Sequence, residues 1–378
     1  MKPKKFLKSK NQNQLLPLKK SGTIALIGPL ADAKENMPGT WSVATKMENA
    51  VSLLAGIKEV AGKGTKVLYA KGSNLMHDAA YEERATMFGK TLNRDNRTKE
   101  ELLAEALKIA NQSDVIVAAL GESSEMAGES SSRTNLEIPD AQKELLDALL
   151  KTGKPVVLLV FNGRPLDLTY ENENVPAILN VWFGGTETGH AIADVLFGDV
   201  NPSGKLSATF PQNVGQVPIY YSHKNTGRPM ANGEWFKKFT SNYLDVTNEP
   251  LYPFGFGLSY TTFDISAPKL DKTTMSVDGS ITVSVTVKNT GNRDGAEVVQ
   301  LYIRDLVGTI TRPVKELKGF QKVMLKAGET KEVSFILNNE RLKFYNANLE
   351  YVSEPGEFKV FVGNSSSNVK EANFTLSK

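Results

Sequence analysis

The 378-residue chain contains no cysteine, which removes disulfides, thiolate nucleophiles and thiolate metal sites from consideration. It has only three histidines, His77, His190 and His223, in unrelated contexts and without the spacing of metal ligands. No apolar run approaches the roughly 18 residues needed to cross a bilayer. The basic opening "MKPKKFLKSKNQNQLLPLKK" lacks an apolar core of export-signal length, because "LLPL" is too short. The formal net charge of +3 is small for this length and gives no basis for nucleic-acid binding. The expectations are therefore no metal, no cofactor, no nucleic acid and no membrane.

Three motif readings also fail. "GDVNPSGKL", Gly198 to Leu206, resembles a phosphate loop, but its glycines are wrongly spaced and leucine follows the lysine. The next residues, "SATFP", read as a strand, so no helix N-terminus would meet a phosphate. Neither G-x-G-x-x-G after the first strand nor a G-x-S-x-G elbow is present.

What the chain does contain is a change of period. From Thr23 to about Pro211, short apolar runs alternate with helical patterns. "TIALIGP", "KVLYAKG", "DVIVAAL", "KPVVLLVFNG" and "AILNVWFGG" read as buried strands. "MENAVSLLAGIKEVAG", "KEELLAEALKIANQS", "PDAQKELLDALLKTG" and "TETGHAIADVLFGD" read as the helices between and after them. Such alternation predicts a mostly parallel sheet covered on both faces. Residues 213–262 are rich in Pro, Gly, Asn and aromatics and read as a connection. From Phe263 the period becomes two: Ile281, Val283, Val285 and Val287 share one face, as do Val299, Leu301 and Ile303. That pattern predicts an antiparallel sandwich over 263–378. The expected division is a tail at 1–21, an α/β domain at 22–212, a connection at 213–262 and an all-β domain at 263–378.

One loop stands out. "GESSEMAGESSSRTNLEIP", Gly121 to Pro139, places Glu122, Glu125 and Glu129 directly after the apolar run "SDVIVAAL". In an open α/β sheet, ligands bind beyond the carboxyl ends of strands. Spacing alone does not separate a site from a solvated turn.

The same string, extended through "DAQKELLDALLKTGKPVVLLVFNGRPL", resembles the second domain of family 3 glycoside hydrolases of the bacterial β-glucosidase and β-xylosidase type. So do "ALIGPLAD", "NVWFGGTETGHAIADVLFGDVNPSGKLSATFP", "LYPFGFGLSYTTF" and "NTGNRDGAEVVQLYIRD". The resemblance runs from about Gln14 to the C-terminus. It implies a flavodoxin-like α/β sandwich domain followed by a fibronectin type III-like domain. It also implies that Glu129, in E-x-x-x-R with Arg133, is the general acid/base of a retaining β-glycosidase, with Glu125 as runner-up. Trp41, in "PGTWS", matches an aromatic platform at the sugar site, and Arg133 joins it as an expected substrate-binding residue.

A retaining enzyme needs a second carboxylate roughly 5–5.5 Å from the first. In the family this nucleophile is an aspartate in an S-D-W context on an N-terminal (β/α)8 barrel, and neither is found here. The expectation is a C-terminal glycosidase portion that acts on a β-linked glycoside, is inactive alone and docks with a separate barrel chain. The alternative is a non-catalytic carbohydrate-binding or scaffold module. Full-length family members are often periplasmic or secreted.

Overall fold

A computed structural model describes residues 14–85, 94–230 and 234–378. The basic opening at 1–13 lies outside them. The chain forms two compact units, one ending at Val200 and the other beginning at Asn201.

The first unit contains, in chain order, β1 (Gly22–Ile27), α1 (Leu53–Val60), β2 (Thr65–Ala70), α2 (Ala79–Arg84) and α3 (Lys99–Asn111). It continues with β3 (Val115–Gly121), α4 (Asp140–Lys151), β4 (Val156–Phe161), α5 (Thr169–Asn174), β5 (Ala177–Asn180) and α6 (Thr188–Phe197). The strands pair in parallel in the order β2-β1-β3-β4-β5, which is the flavodoxin-like arrangement. The register aligns Ile24 with Val115, and Ile116 with Val156. Every residue of β4 is buried, as are all but the first of β3, which explains their unbroken apolar sequences. All five strands run the same way, so the loops after β1, β2, β3, β4 and β5 gather on one edge.

The helices follow their capping residues. The helical pattern beginning at Met47 yields a single 3-10 turn, and α1 starts only at Leu53. Ser52 is its N-cap, accepting from the Ala55 amide, and its hydroxyl donates to Asp32 Oδ1 at 2.7 Å. Thr98 and Glu101 form a capping box on α3. Where α1 crosses α6, glycine is required on both: a Cβ on Gly56 would lie 2.2 Å from the Gly189 backbone.

The N-terminal stretch assigned to a tail is not free throughout. Leu16 and Leu18 are buried, and the Leu18 amide donates to the Leu196 carbonyl at 2.7 Å. Two leucines with a helix end to cover gain more from burial than from solvation.

The second unit is a β sandwich. Its strands are β6 (Phe263–Ile265), β7 (Lys269–Leu270), β8 (Thr274–Met275), β9 (Ser280–Asn289) and β10 (Gly295–Asp305). They are followed by β11 (Glu316–Leu325), β12 (Thr330–Asn338), β13 (Phe344–Tyr345), β14 (Tyr351–Val352), β15 (Gly356–Gly363) and β16 (Val369–Leu376). One sheet has the order β11-β10-β15-β16-β8, and the other β12-β9-β6 with β7 also on β9. The alternate residues Ile281, Val283, Val285 and Val287 meet Val299, Leu301, Ile303, Phe358 and Val360 in one core.

Residues 201–212 belong with this unit rather than with the α/β domain. "SATFP" is not a strand; among the described residues its ladder contact is an isolated bridge between Phe210 and Tyr252. The aromatic connection packs within the sandwich unit as well. Tyr252 stacks on Phe256, Tyr221 stacks on Phe254, and Tyr221 meets Tyr302 of β10 edge-on. Lys205 pairs with Glu297 at 2.7 Å, both side chains almost fully buried.

A buried carboxyl on α5 gives the α/β unit a pH dependence. Glu171 is 2% exposed, its Oε1 has no hydrogen-bond partner among the described residues, and burial pushes its pKa up to about 7. Lys143 is too weak an influence to offset this, and Asp167 and Glu137 add to it. Between the ordinary glutamate value and about 7, the folded chain keeps a proton that the unfolded chain has released. Stability from this group is therefore complete at low pH and is lost as pH rises through that window. The loss amounts to about 3 kcal/mol when complete. Glu171→Gln should flatten the slope and leave the variant more stable than wild type at about pH 8, as measured by urea unfolding there and at about pH 5. Parallel pH profiles for the two proteins would contradict this account.

Candidate functional site

The three carboxylates of the loop after β3 have three different fates. Glu122 is completely buried. Its Oε1 contacts Arg133 Nη1 at 2.8 Å and Arg164 Nε at 3.0 Å, and its Oε2 accepts from the Gly163 amide at 3.1 Å. Glu125 is half-buried in a short 3-10 turn, Ser124–Met126. Glu129 is exposed.

The root of this loop is fixed from α4. Gln142, fully buried, accepts from the Gly121 amide at 2.8 Å and donates to the Gly121 carbonyl at 2.9 Å. From there the loop is held on two sides. Arg164, from the loop after β4, donates through Nη2 to the carbonyls of Met126 and Ser131, the latter at 2.7 Å. These two carbonyls flank Glu129. From the loop after β1, the Thr40 hydroxyl donates to the Ala127 carbonyl at 2.6 Å and also touches the Ser124 carbonyl. Thr40 lies directly against Gly128, where a Cβ would come within 2.6 Å of Thr40 Cγ2. Gly128 has a φ of 125° and Ser130 a φ of 57°, so the residues on either side of Glu129 both adopt left-handed backbone. For Ser130 this conformation is uncommon and is held by the surrounding hydrogen bonds.

Trp41 follows Thr40 and is 74% exposed. An indole this open is not a packing residue. β1 and β3 are parallel neighbours, so the Trp41 and Glu129 loops emerge side by side, and Thr40 joins them. The two exposed groups thus share the carboxyl edge of the sheet. A third loop on this edge, after β5, carries Trp182 at a φ of 52°.

Arg133, expected to bind substrate, makes its contacts with the loop itself. Its side chain is 8% exposed, with Nη1 on Glu122 and Nη2 donating to the Glu137 carbonyl at 3.1 Å. Both of these contacts lie inside the loop. Among the described residues, no group of three His, Asp or Glu side chains could hold a metal ion, and no helix is long and apolar enough to cross a membrane.

Residues 10–260 match the Glycosyl hydrolase family 3 C-terminal domain, and residues 297–366 match the Fibronectin type III-like domain. The chain belongs to glycoside hydrolase family 3. A periplasmic beta-glucosidase of Salmonella typhimurium is 52% identical over 367 residues, which is 97% of this chain and 48% of that protein. A beta-xylosidase of Formosa agariphila is 42% identical, over 96% of this chain and 47% of its own length. Among solved structures, the Listeria innocua beta-glucosidase in complex with isofagomine superposes with a TM-score of 0.86 at 39% identity. That match covers 97% of this chain and 48% of the other. The chain spans about half the length of the curated relatives it matches.

The family 3 sequence signature points to Glu129, Arg133 and Trp41 but not to Thr40, Arg164 or Glu122 as the frame that holds them. Nothing in "NGRP" or "PGTW" signals a loop clamp, since the carbonyls they grip are distant in sequence. The frame is testable through Glu122. Removing its charge leaves two guanidinium groups, Arg133 and Arg164, without their shared counter-ion. Breaking a buried ion pair on one side costs about 3–5 kcal/mol. Glu122→Gln should therefore lower stability by that order in chemical denaturation, whereas Glu129→Gln, at an exposed position, should change it by roughly 0.5 kcal/mol or less. Equal effects would mean that Glu122 does not anchor the loop.

Proposed function

We propose that this chain supplies the acid/base half of a retaining β-glycosidase site, with Glu129 as the proton donor and Trp41 as a sugar-facing platform. The observation that carries the reading is the clamped, exposed Glu129, held beside Trp41 by Thr40 and Arg164 on the ligand-binding edge of the sheet. Membership of family 3 and the beta-glucosidases and beta-xylosidase among its relatives support a terminal β-linked glucoside or xyloside as substrate.

In this mechanism Glu129 protonates the glycosidic oxygen as the bond to the anomeric carbon breaks. The same group, now a carboxylate, then removes a proton from the water that releases the sugar. Attack on the anomeric carbon requires a second carboxylate roughly 5–5.5 Å from Glu129. We assign that group to a (β/α)8 barrel outside this sequence, acting as a separate docking partner or as a further part of the same enzyme. Arg133 and Arg164 fix the loop and do not meet the sugar. Glu125 ranks below Glu129 because it is half-buried in the 3-10 turn.

The purified chain alone should not hydrolyse aryl β-glucosides or β-xylosides above background, since loss of a covalent nucleophile costs about 10⁴-fold or more. Robust turnover by the isolated chain would refute the half-site reading. Docked with a family barrel, the chain should regain turnover. Glu129→Gln in that pair should slow substrates with poor leaving groups by about 10²–10⁴-fold and activated aryl substrates far less in forming the intermediate. An unimpaired Glu129→Gln pair together with a dead Glu125→Gln pair would move the acid/base role to Glu125. If no barrel restores turnover while the chain alone retains glycosides, the carbohydrate-binding module is the better reading.

A further inference from the structure

A second concavity lies elsewhere on the α/β unit, with a volume of about 450 Å³. It is bounded by the loop after β2, the residues leading into α3 and the first turns of α4. None of Thr40, Trp41, Glu122, Glu129, Arg133 or Arg164 lines it. Its size falls within the range of small-molecule sites, roughly 300–1,000 Å³.

The lining is amphipathic. Leu102, Leu145 and Met76 give it an apolar floor, and each is almost completely buried. Around them stand charged groups that are already paired. Arg94 meets Glu82 at 2.7 Å, and Arg97 meets Asp95 at 2.7 Å. Glu144 takes His77 at 3.1 Å and Lys99 at 3.3 Å. Hydrogen bonds from Arg97 hold the Asp95 carboxyl at about 2, so this pair persists across the neutral range. Ser73, 7% exposed, adds a hydroxyl that has no hydrogen-bond partner among the described residues.

This pairing decides between ligand classes. An anion would have to displace a carboxylate from each cation it approached. The N-terminus of α3 gives little in compensation, because its capping box takes up the Thr98 and Glu101 amides and the acidic side chains of Glu100 and Glu101 stand in its first turn. A neutral polyol meets no such cost. Fixed ion pairs present donors and acceptors side by side, which suits hydroxyls that act as both. An apolar floor suits the C–H face of a pyranose ring.

We propose that this cleft is a second carbohydrate-binding site, separate from the acid/base loop and specific for a neutral sugar. The choice of a sugar rests on the glycoside reading above; the cleft and its charge pairing do not depend on Glu129.

The test is an amide NMR titration of the isolated full chain with glucose, with cellobiose and, separately, with inorganic phosphate. The expected result is saturable shifts from either sugar in residues 71–77, 94–103 and 141–145, with affinity of roughly 1–10 mM. Asn96, exposed on the cleft wall, tolerates a bulky plug, so Asn96→Trp should weaken binding about tenfold or more while leaving the rest of the spectrum in place. Glu129→Gln should leave these shifts unchanged, which separates this site from the catalytic proposal. Shifts in the cleft from phosphate but not from sugars would overturn the assignment in favour of an anion site. Sugar shifts confined to the Trp41 and Glu129 loops, or no shifts at all, would overturn it as well. Failure of the barrel-docked Glu129 experiments would leave these outcomes untouched.

Discussion

The arrangement of the candidate site depends on one buried carboxylate. Glu122 leaves the end of β3 and is completely buried, where a polar side chain is stable only with charged or polar partners. Arg133 and Arg164 provide them at one carboxylate oxygen, and the Gly163 amide does so at the other. Both guanidiniums also donate to backbone carbonyls, those of Met126 and Ser131 for Arg164 and that of Glu137 for Arg133. A rigid planar fork with five donors can do this, whereas a lysine ammonium could not hold the same geometry. The polar loop is thereby given a fixed shape without secondary structure of its own.

Within that shape, exposure separates roles that composition leaves equal. A carboxylate that anchors must be enclosed, and one that donates a proton to a substrate must reach solvent. Within a single loop Glu122 is enclosed and Glu129, the proposed proton donor, is exposed, and Gly128 allows the turn between them by letting Thr40 press against its α-carbon. Binding residues carried on loops but positioned by a rigid scaffold are common in α/β folds. Here the scaffold includes the neighbouring loops as well as the sheet.

The polar chemistry of the Glu129 loop and of the cleft beside α3 follows from the parallel sheet. Parallel strands deliver every following loop to one side, so charged residues from distant parts of the sequence meet there. At the Glu129 loop the charges are arranged to fix a backbone. Beside α3 they neutralise one another around an apolar floor.

Much of this fold is legible in the sequence by itself. The switch from helical to twofold periodicity separates the α/β layer structure from the sandwich, because burial of one face or both imposes that period on any chain. The alternation Ile281, Val283, Val285, Val287 appears in the core as read, and the unbroken apolar runs of β3 and β4 are the central strands. Local boundaries were less legible. Residues 201–212 continue the apolar rhythm of the α/β segment, yet Phe210 bridges to Tyr252 and the stretch joins the sandwich unit. Leu16 and Leu18 look like part of a basic tail, yet they cover α6. Such choices are made by long-range contacts that no local pattern encodes. The same holds for the site. The sequence by itself determined that a carboxylate-rich loop follows a buried strand and that a tryptophan follows its neighbour. Only the tertiary structure decided which carboxylate is enclosed, that Arg133 turns inward, and that Thr40 and Arg164 grip the loop from two other strands. Glutamate, serine and arginine have the same local signature whether solvated or paired, and the difference lies in partners brought together by the sheet.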